Sequence, residues 1–240
     1  MKKILAAFAA VFLISSHAWA GKADIDITGL ANQEFGELSR QIGMAVAYKP
    51  VAPAEPLGIL GFDIGIEATF AEIDNDSTFW NTASPDMPGM LPIPKLHAVK
   101  GLPFGVDIGA VYSEVPESNI SLLGAEVKWA ILEGTVATPA VAVRGTYTKL
   151  DGIDGLDLNT KGVDVSISKG VLMFTPYAGV GQVWIESDPS GAGISGLSKA
   201  SFSETKLFGG IQASLLIFRI TGEVEVANIT SYTIKLSTGF

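Results

Sequence analysis

Tyr232-Thr-Ile-Lys-Leu-Ser-Thr-Gly-Phe240 stands at the end of the chain, and its alternation decides the fold. Its even positions are Tyr232, Ile234, Leu236, Thr238 and Phe240, mostly large and apolar. Its odd positions are Thr233, Lys235, Ser237 and Gly239. Successive side chains of a β-strand point to opposite faces, so this segment reads as a strand with one greasy face and one polar face.

The same period runs back through the sequence. Arg219, Thr221, Glu223 and Glu225 alternate with Phe218, Ile220, Val224 and Val226. Asp63, Gly65, Glu67 and Thr69 alternate with Phe62, Ile64, Ile66, Ala68 and Phe70. Such segments are expected at 58–73, 91–100, 103–115, 119–133, 136–150, 156–169, 172–187, 202–216, 218–227 and 230–240. Apolar-out, polar-in segments of about ten residues are the signature of a transmembrane β-barrel. An all-β antiparallel barrel of 10–12 strands is therefore expected.

The strand number turns on residues 21–48. Ile42 to Tyr48 reads as an eleventh strand, and a closed single-chain barrel normally has an even number. A first strand at Ala23 to Gly29 would make twelve, the reading preferred over ten. Gln33 to Gln41 could form a short helix with Phe35, Leu38 and Ile42 on one side, set as a plug in the lumen or at its rim. Pro50-Val-Ala-Pro-Ala-Glu-Pro56 is then a stiff connection, because proline cannot serve a central ladder position. The expected organisation is a leader over 1–20, an N-terminal segment over 21–41 and a barrel over 42–240.

The leader reads as an export signal. Lys2 and Lys3 precede the unbroken apolar run Ile4 to Ile14, and Ala18 and Ala20 supply the small residues before a cleavage site. That run is too short to cross a bilayer as a helix, which needs about 20 residues. Elsewhere, apolar stretches are interrupted, as at Gln212, Ser214 and Arg219. Yet hydrophobic residues make up 48% of the chain, charged ones only 17%, and mean hydropathy is +0.36. An exported chain this apolar without helical spans fits a closed barrel, which satisfies every backbone N–H and C=O internally. Export through the Sec pathway to a Gram-negative outer membrane, with the leader removed, is the expected localisation.

The terminal strand resembles that of bacterial outer-membrane proteins. The resemblance implies that the barrel-assembly machinery recognises Tyr232, Ile234, Leu236 and Phe240. From Leu91 on, the chain also resembles a family of uncharacterised proteobacterial outer-membrane barrel proteins. The stretches that carry it are Leu91-Pro-Ile-Pro-Lys-Leu96, Lys100-Gly-Leu-Pro-Phe-Gly-Val-Asp-Ile-Gly109 and Thr175-Pro-Tyr-Ala-Gly-Val-Gly181. More loosely, the architecture is similar to small barrels of the OmpW and FadL types, which carry apolar compounds or fatty acids. No ligand motif of either group is matched, so this remains a likeness of fold.

Periodicity places Asp63, Glu67, His97, Asp107, Glu126, Lys128, Arg144, Asp164, Lys206, Arg219, Glu223, Glu225 and Lys235 toward the lumen. They could form an ion-pair network that fills a narrow barrel, or line a polar path. Charges in a partly desolvated lumen stabilise one another only when paired. Trp129, Trp184, Tyr112, Tyr147, Tyr177 and Tyr232 are candidates for interfacial girdles. Trp80 falls in the long outer loop 74–90.

Several chemistries are excluded or disfavoured. The chain has no cysteine, so thiol catalysis and thiolate metal sites are out. His17 leaves with the leader, and His97 is then the only histidine available as a base. The expectation is that the protein is not an enzyme. Asp151, Asp154 and Asp157 could bind Ca²⁺ in an outer loop, but the EF-hand pattern is missing, so neither metal nor cofactor is expected. Loss of the two leader lysines takes the net charge from −9 to −11, which argues against nucleic acid. Outer-membrane lipid and lipopolysaccharide are the expected partners, with the assembly machinery during biogenesis. The leading functional expectation is a passive channel or transporter for small molecules, hydrophobic ones among them; the second is a structural or adhesive barrel with a closed lumen and working outer loops. The third is a lipid-modifying enzyme.

Overall fold

The computed structural model describes residues 25–114, 119–190 and 196–240. The leader expected over 1–20, including Ala18 and Ala20, lies outside the described residues.

Ten antiparallel strands close into one barrel: β1 Phe62–Glu72, β2 Met90–Gly101, β3 Val106–Glu114, β4 Ser121–Leu132, β5 Ala140–Ile153, β6 Leu156–Ser168, β7 Phe174–Pro189, β8 Ala200–Leu215, β9 Phe218–Val226 and β10 Thr230–Gly239. Each strand pairs with its sequence neighbour, and β1 closes on β10 in the register Asp63↔Gly239 through Ala71↔Ser231. The closure is finished by Phe62 and Phe240, which exchange backbone hydrogen bonds of 3.0 and 3.2 Å. Their rings meet edge to face at 4.7 Å.

The expected count of twelve is thus corrected to ten. Residues 25–29 form no strand, and Ile42–Tyr48 belongs to the end of a helix and the segment after it. The helix α1 spans Asn32–Val46. Its apolar residues Phe35, Leu38, Ile42 and Val46 repeat at helical spacing, and Glu34 accepts the free Ala31 N–H at 2.9 Å. The strand reading of Ile42 to Tyr48 failed because the polar residues of α1, among them Glu34, Glu37, Arg40 and Gln41, all lie in its earlier turns, while Ile42 to Val46 is apolar and buried. A helical stretch buried all round has no polar face to reveal its period.

The exterior is inverted relative to a water-soluble protein. Every strand exposes at least one large apolar side chain: Ile64, Leu96, Ile108, Val127, Tyr147, Val165, Val180, Ile211, Ile220 and Ile234, in strand order. Exposed apolar surface continuing round a whole barrel far exceeds the isolated patches of soluble monomers. Tyr112, Trp129, Tyr147, Trp184 and Tyr232 also face outward. Tyr177 does not. It is buried, and its hydroxyl donates to Glu223 at 2.8 Å. In β7 the odd positions Tyr177, Val183 and Ile185 turn inward, while Trp184 turns outward. Tyr177 therefore leaves the girdle set.

The two mouths differ. At one, the connections after β2, β4, β6 and β8 are short, the last a two-residue turn at Leu216-Ile217. At the other lie the long connections 73–89 and 190–199, the first of which carries a short helix, α2, at Thr78–Ala83.

Candidate functional site: the filled lumen

Residues 25–57 run through the barrel from the long-loop mouth to the short-turn mouth. At the long-loop mouth the Asp26 N–H donates to Ala83 O at 2.9 Å. The Asn32 side chain donates to Gly196 O and accepts from the Ser198 N–H, both at 2.7 Å. At the short-turn mouth the Leu57 N–H donates to Asp107 at 3.1 Å. Between these ends the segment meets two chemically different layers of wall.

The layer near the long loops is apolar. Phe35, Leu38, Ile42 and Met44 of α1 are buried among Leu122, Leu150, Leu158, Val183 and Ile185 of the wall. Each such side chain contributes about 1.5–3 kcal/mol relative to exposure. Gly43 lets the helix approach β7 closely, since a Cβ there would sit 2.4 Å from Ile185 Cγ2. Ser39 shares a 2.9 Å hydrogen bond with Ser187. Trp80, expected in a loop, is fully buried over α1, and its indole N–H donates to Gln41 at 2.9 Å. A cavity of about 50 Å³ remains between α1, α2 and strands β2–β5, lined by Ile42, Trp80, Leu91, Ile93, Ser113 and Leu122 among others.

The second layer holds the charges. Glu67 accepts from Lys95 at 2.8 Å and contacts His97 Nδ1 at 2.9 Å. His97 Nε2 in turn lies 2.9 Å from the Tyr48 hydroxyl. Glu225 bridges Lys49 at 2.5 Å and Lys206 at 3.0 Å. Lys49 also donates to Met44 O at 2.8 Å, at the end of α1. Glu223 accepts from Tyr177 and from the Val51 N–H at 2.9 Å. Arg144 lies 3.2 Å from Glu126 and 3.9 Å from Asp164. Lys128 meets Asp107 at 3.0 Å and donates to the carbonyls of Pro53 and Glu55. Asp63 holds Arg219 at 2.8 Å and Lys235 at 3.3 Å. Arg219 is half-buried; every other charge in this set is buried.

All thirteen residues read from the sequence as inward-facing lie inside the wall, and each meets a partner of opposite charge or a hydrogen-bonding group. Lys95, on the buried face of β2 with His97, was not among them, and sequence reasoning missed Lys49 and Tyr48 altogether. Lys49 and Tyr48 lie on the threaded segment, where strand periodicity carries no information. Pro50 to Pro56, expected as a connection between strands, lies in this layer. Its Ala54 N–H donates to Ser168 at 3.0 Å. Beyond it, at the short-turn mouth, a cavity of about 240 Å³ is lined by Glu55, Asp63, Glu126, Lys128, Arg219 and Lys235 among others.

Other candidates lie apart from this arrangement. Asp151 pairs with Lys149 at 2.6 Å, and Asp157 accepts from Ser190 at 2.8 Å. Among the described residues no group of three or more His, Asp or Glu is placed to hold a metal. His97 has both ring nitrogens engaged and is buried.

Fold and site define a class: a ten-stranded closed barrel with an apolar exterior and a charged interior filled by its own N-terminal segment. No family model matches the chain, and no curated protein does. Among solved structures it is similar to the KdgM porin, at 8% identity and a TM-score of 0.37, covering 74% of this chain and 99% of that one. It is also similar to Neisserial surface protein A, at 8% identity and a TM-score of 0.32, covering 74% and 95%. A third is Ail, the attachment invasion locus protein of Yersinia pestis, at 12% identity and a TM-score of 0.27, covering 75% and 95%.

Proposed function

We propose that this protein is an outer-membrane β-barrel, closed to water and ions by residues 25–57, that takes up small apolar molecules into the outer half of its lumen. The observation that carries this reading is the division of the lumen. Its charged layer is crossed by residues 48–57 and holds buried, oppositely charged groups, with its cavity of about 240 Å³ at the short-turn end, which leaves a poor path for ions. Its apolar layer contains a cavity lined almost wholly by hydrocarbon, and an apolar cavity stays dry and accepts apolar guests. In this reading the long loops face outside and the short turns face the periplasm, the usual asymmetry of such barrels. Phe240 and its strand serve as the assembly signal, and outer-membrane lipid and lipopolysaccharide surround the wall. The ion pairs and His97 hold the plug and carry no catalysis.

Trp80 provides the test. The purified protein in a planar bilayer should show no steady conductance. A brominated fatty acid added through the water should quench Trp80 saturably in a variant with its other tryptophans replaced by Phe. A large steady conductance would refute the closed lumen, and unquenched Trp80 would refute the apolar site. A silent barrel with unquenched Trp80 would favour a second reading. In it the long-loop mouth, made rigid by the docking of α2 on α1, is a surface for adhesion.

A further inference from the structure

The threaded segment and the short-turn end of the wall enclose the cavity of about 240 Å³. Register gathers hydrogen-bonding side chains on one arc of that wall. Thr175, Gln212, Thr221 and Lys235 are successive partners across β7, β8, β9 and β10, and Ser214 pairs with Arg219 in the neighbouring row. Directly opposed residues of antiparallel strands share a face, so the arc turns its polar groups inward together. All of them except Thr221 line the cavity.

Two cations of this arc share a single carboxylate. Lys235 is buried, and its ammonium meets only Asp63 Oδ1, at 3.3 Å. Arg219 donates through Nη1 alone, to Asp63 Oδ2 at 2.8 Å and to Phe62 O at 3.4 Å. Its Nε and Nη2, one edge of the guanidinium fork, meet no acceptor among the described residues. Asp63 also accepts from the Ser237 hydroxyl at 2.9 Å. Lys235 and Arg219 together therefore carry one positive charge more than Asp63 balances. A buried ammonium with a single long contact is costly unless a further anion meets it.

The other charged groups of the lining do not supply that anion. Lys128 is held by Asp107 at 3.0 Å and by the carbonyls of Pro53 and Glu55. Glu126 lies 3.2 Å from Arg144. Glu55, half-buried on the threaded segment, has a carboxylate that pairs with no described residue. Arg219, Gln212 and Ser214 are half-buried, which keeps the arc within reach of water at the short-turn mouth.

We propose that the short-turn mouth binds a small soluble organic oxyanion, a phosphate or a carboxylate, anchored by Arg219 and Lys235 and flanked by Thr175, Gln212 and Ser214. The Nε–Nη2 edge of an arginine takes two oxygens of such a group in parallel. The volume of about 240 Å³ exceeds the roughly 150 Å³ of a cavity that holds benzene, so there is room for a short carbon skeleton behind the oxyanion. The site lies at the opposite end of the lumen from the apolar cavity and does not depend on it. A ligand seated there touches the threaded segment and the wall at once, so it stabilises the seated plug by mass action.

The experiment titrates the purified protein, in micelles of a nonionic detergent, with glycerol 3-phosphate, with glycerate and with uncharged glycerol, and follows the heat of binding. The expected result is saturable binding of at least one of the two anions and none of glycerol. No saturable binding of either anion, or equal binding of glycerol, overturns the site. Arg219→Gln, shown to be folded by heat-modifiable migration on a gel, should weaken the anion on the order of tenfold or more, as the loss of a charge-assisted hydrogen bond does. Unchanged affinity in that variant overturns the anchor. Glu55→Gln removes a like charge from the lining and breaks no side-chain contact, so it should tighten the anion severalfold. Damage to the fold cannot produce a gain, so this variant decides the matter even if Arg219→Gln does not fold. Unchanged or weaker binding in Glu55→Gln overturns the oxyanion assignment.

Discussion

Lys49→Met tests whether the threaded segment is a latched plug. The substitution keeps the length of the side chain and removes its charge. Lys49 loses Glu225 at 2.5 Å and Met44 O at 2.8 Å, all in a buried setting. Breaking a buried ion pair costs about 3–5 kcal/mol when the surviving charge is stranded. Glu225 is not stranded, because Lys206 remains 3.0 Å from its other oxygen. The lower end of the range applies: about 3 kcal/mol, or on the order of 100-fold in the ratio of seated to released plug. The bonds from Tyr48, Val51, Ala54 and Leu57 to the wall persist, so the variant should still be mostly closed. In planar bilayers the wild type should be silent and Lys49→Met should flicker open, at a frequency raised on the order of 100-fold. The cysteine-free background allows an internal control. Ser39 and Ser187 are hydrogen-bonded across the α1–β7 contact, so Ser39→Cys with Ser187→Cys should tether the plug when oxidised. Oxidation should abolish the openings of Lys49→Met, and reductant should restore them. If Lys49→Met is as silent as the wild type, the latch assignment is wrong. If openings persist through the oxidised tether, they do not come from movement of α1.

Two further outcomes follow from the geometry. Glu67→Gln should strand Lys95 and His97, lowering stability by about 3–5 kcal/mol in urea unfolding of the micelle-bound barrel; replacing Glu67 and Lys95 together by Leu should recover much of it. Gly43→Ala should destabilise despite a better helix former: overpacking against Ile185, at 2.4 Å from the new Cβ, costs about 1–3 kcal/mol against about 1 kcal/mol of helix propensity, and a rise in the thermal midpoint would contradict the close α1–β7 contact.

The wall of this protein is legible in its sequence because every strand separates two solvents. Ile64 and Glu67, or Ile234 and Lys235, differ in polarity because lipid-like and lumen environments alternate along the backbone, so the segments that build the wall and the face of each charge could be read locally. Residues 42–57 offered no such contrast. Ile42 to Tyr48 alternates well enough to imitate a strand, and only closure of β1 on β10 at ten strands shows that this segment must lie inside.

The sequence by itself determined that the chain builds a barrel with charges turned inward, since period two assigns faces without knowledge of neighbours. Only the tertiary structure decided which charges meet. Glu67 finds Lys95 as its direct β1–β2 partner, and Arg144 faces Asp164 across β5–β6, through register. Glu225 finds Lys49 through the threading of a distant segment. Electrostatic pairing in a closed lumen depends on separations of a few ångströms, and those are set by strand register and barrel closure, which no local period encodes.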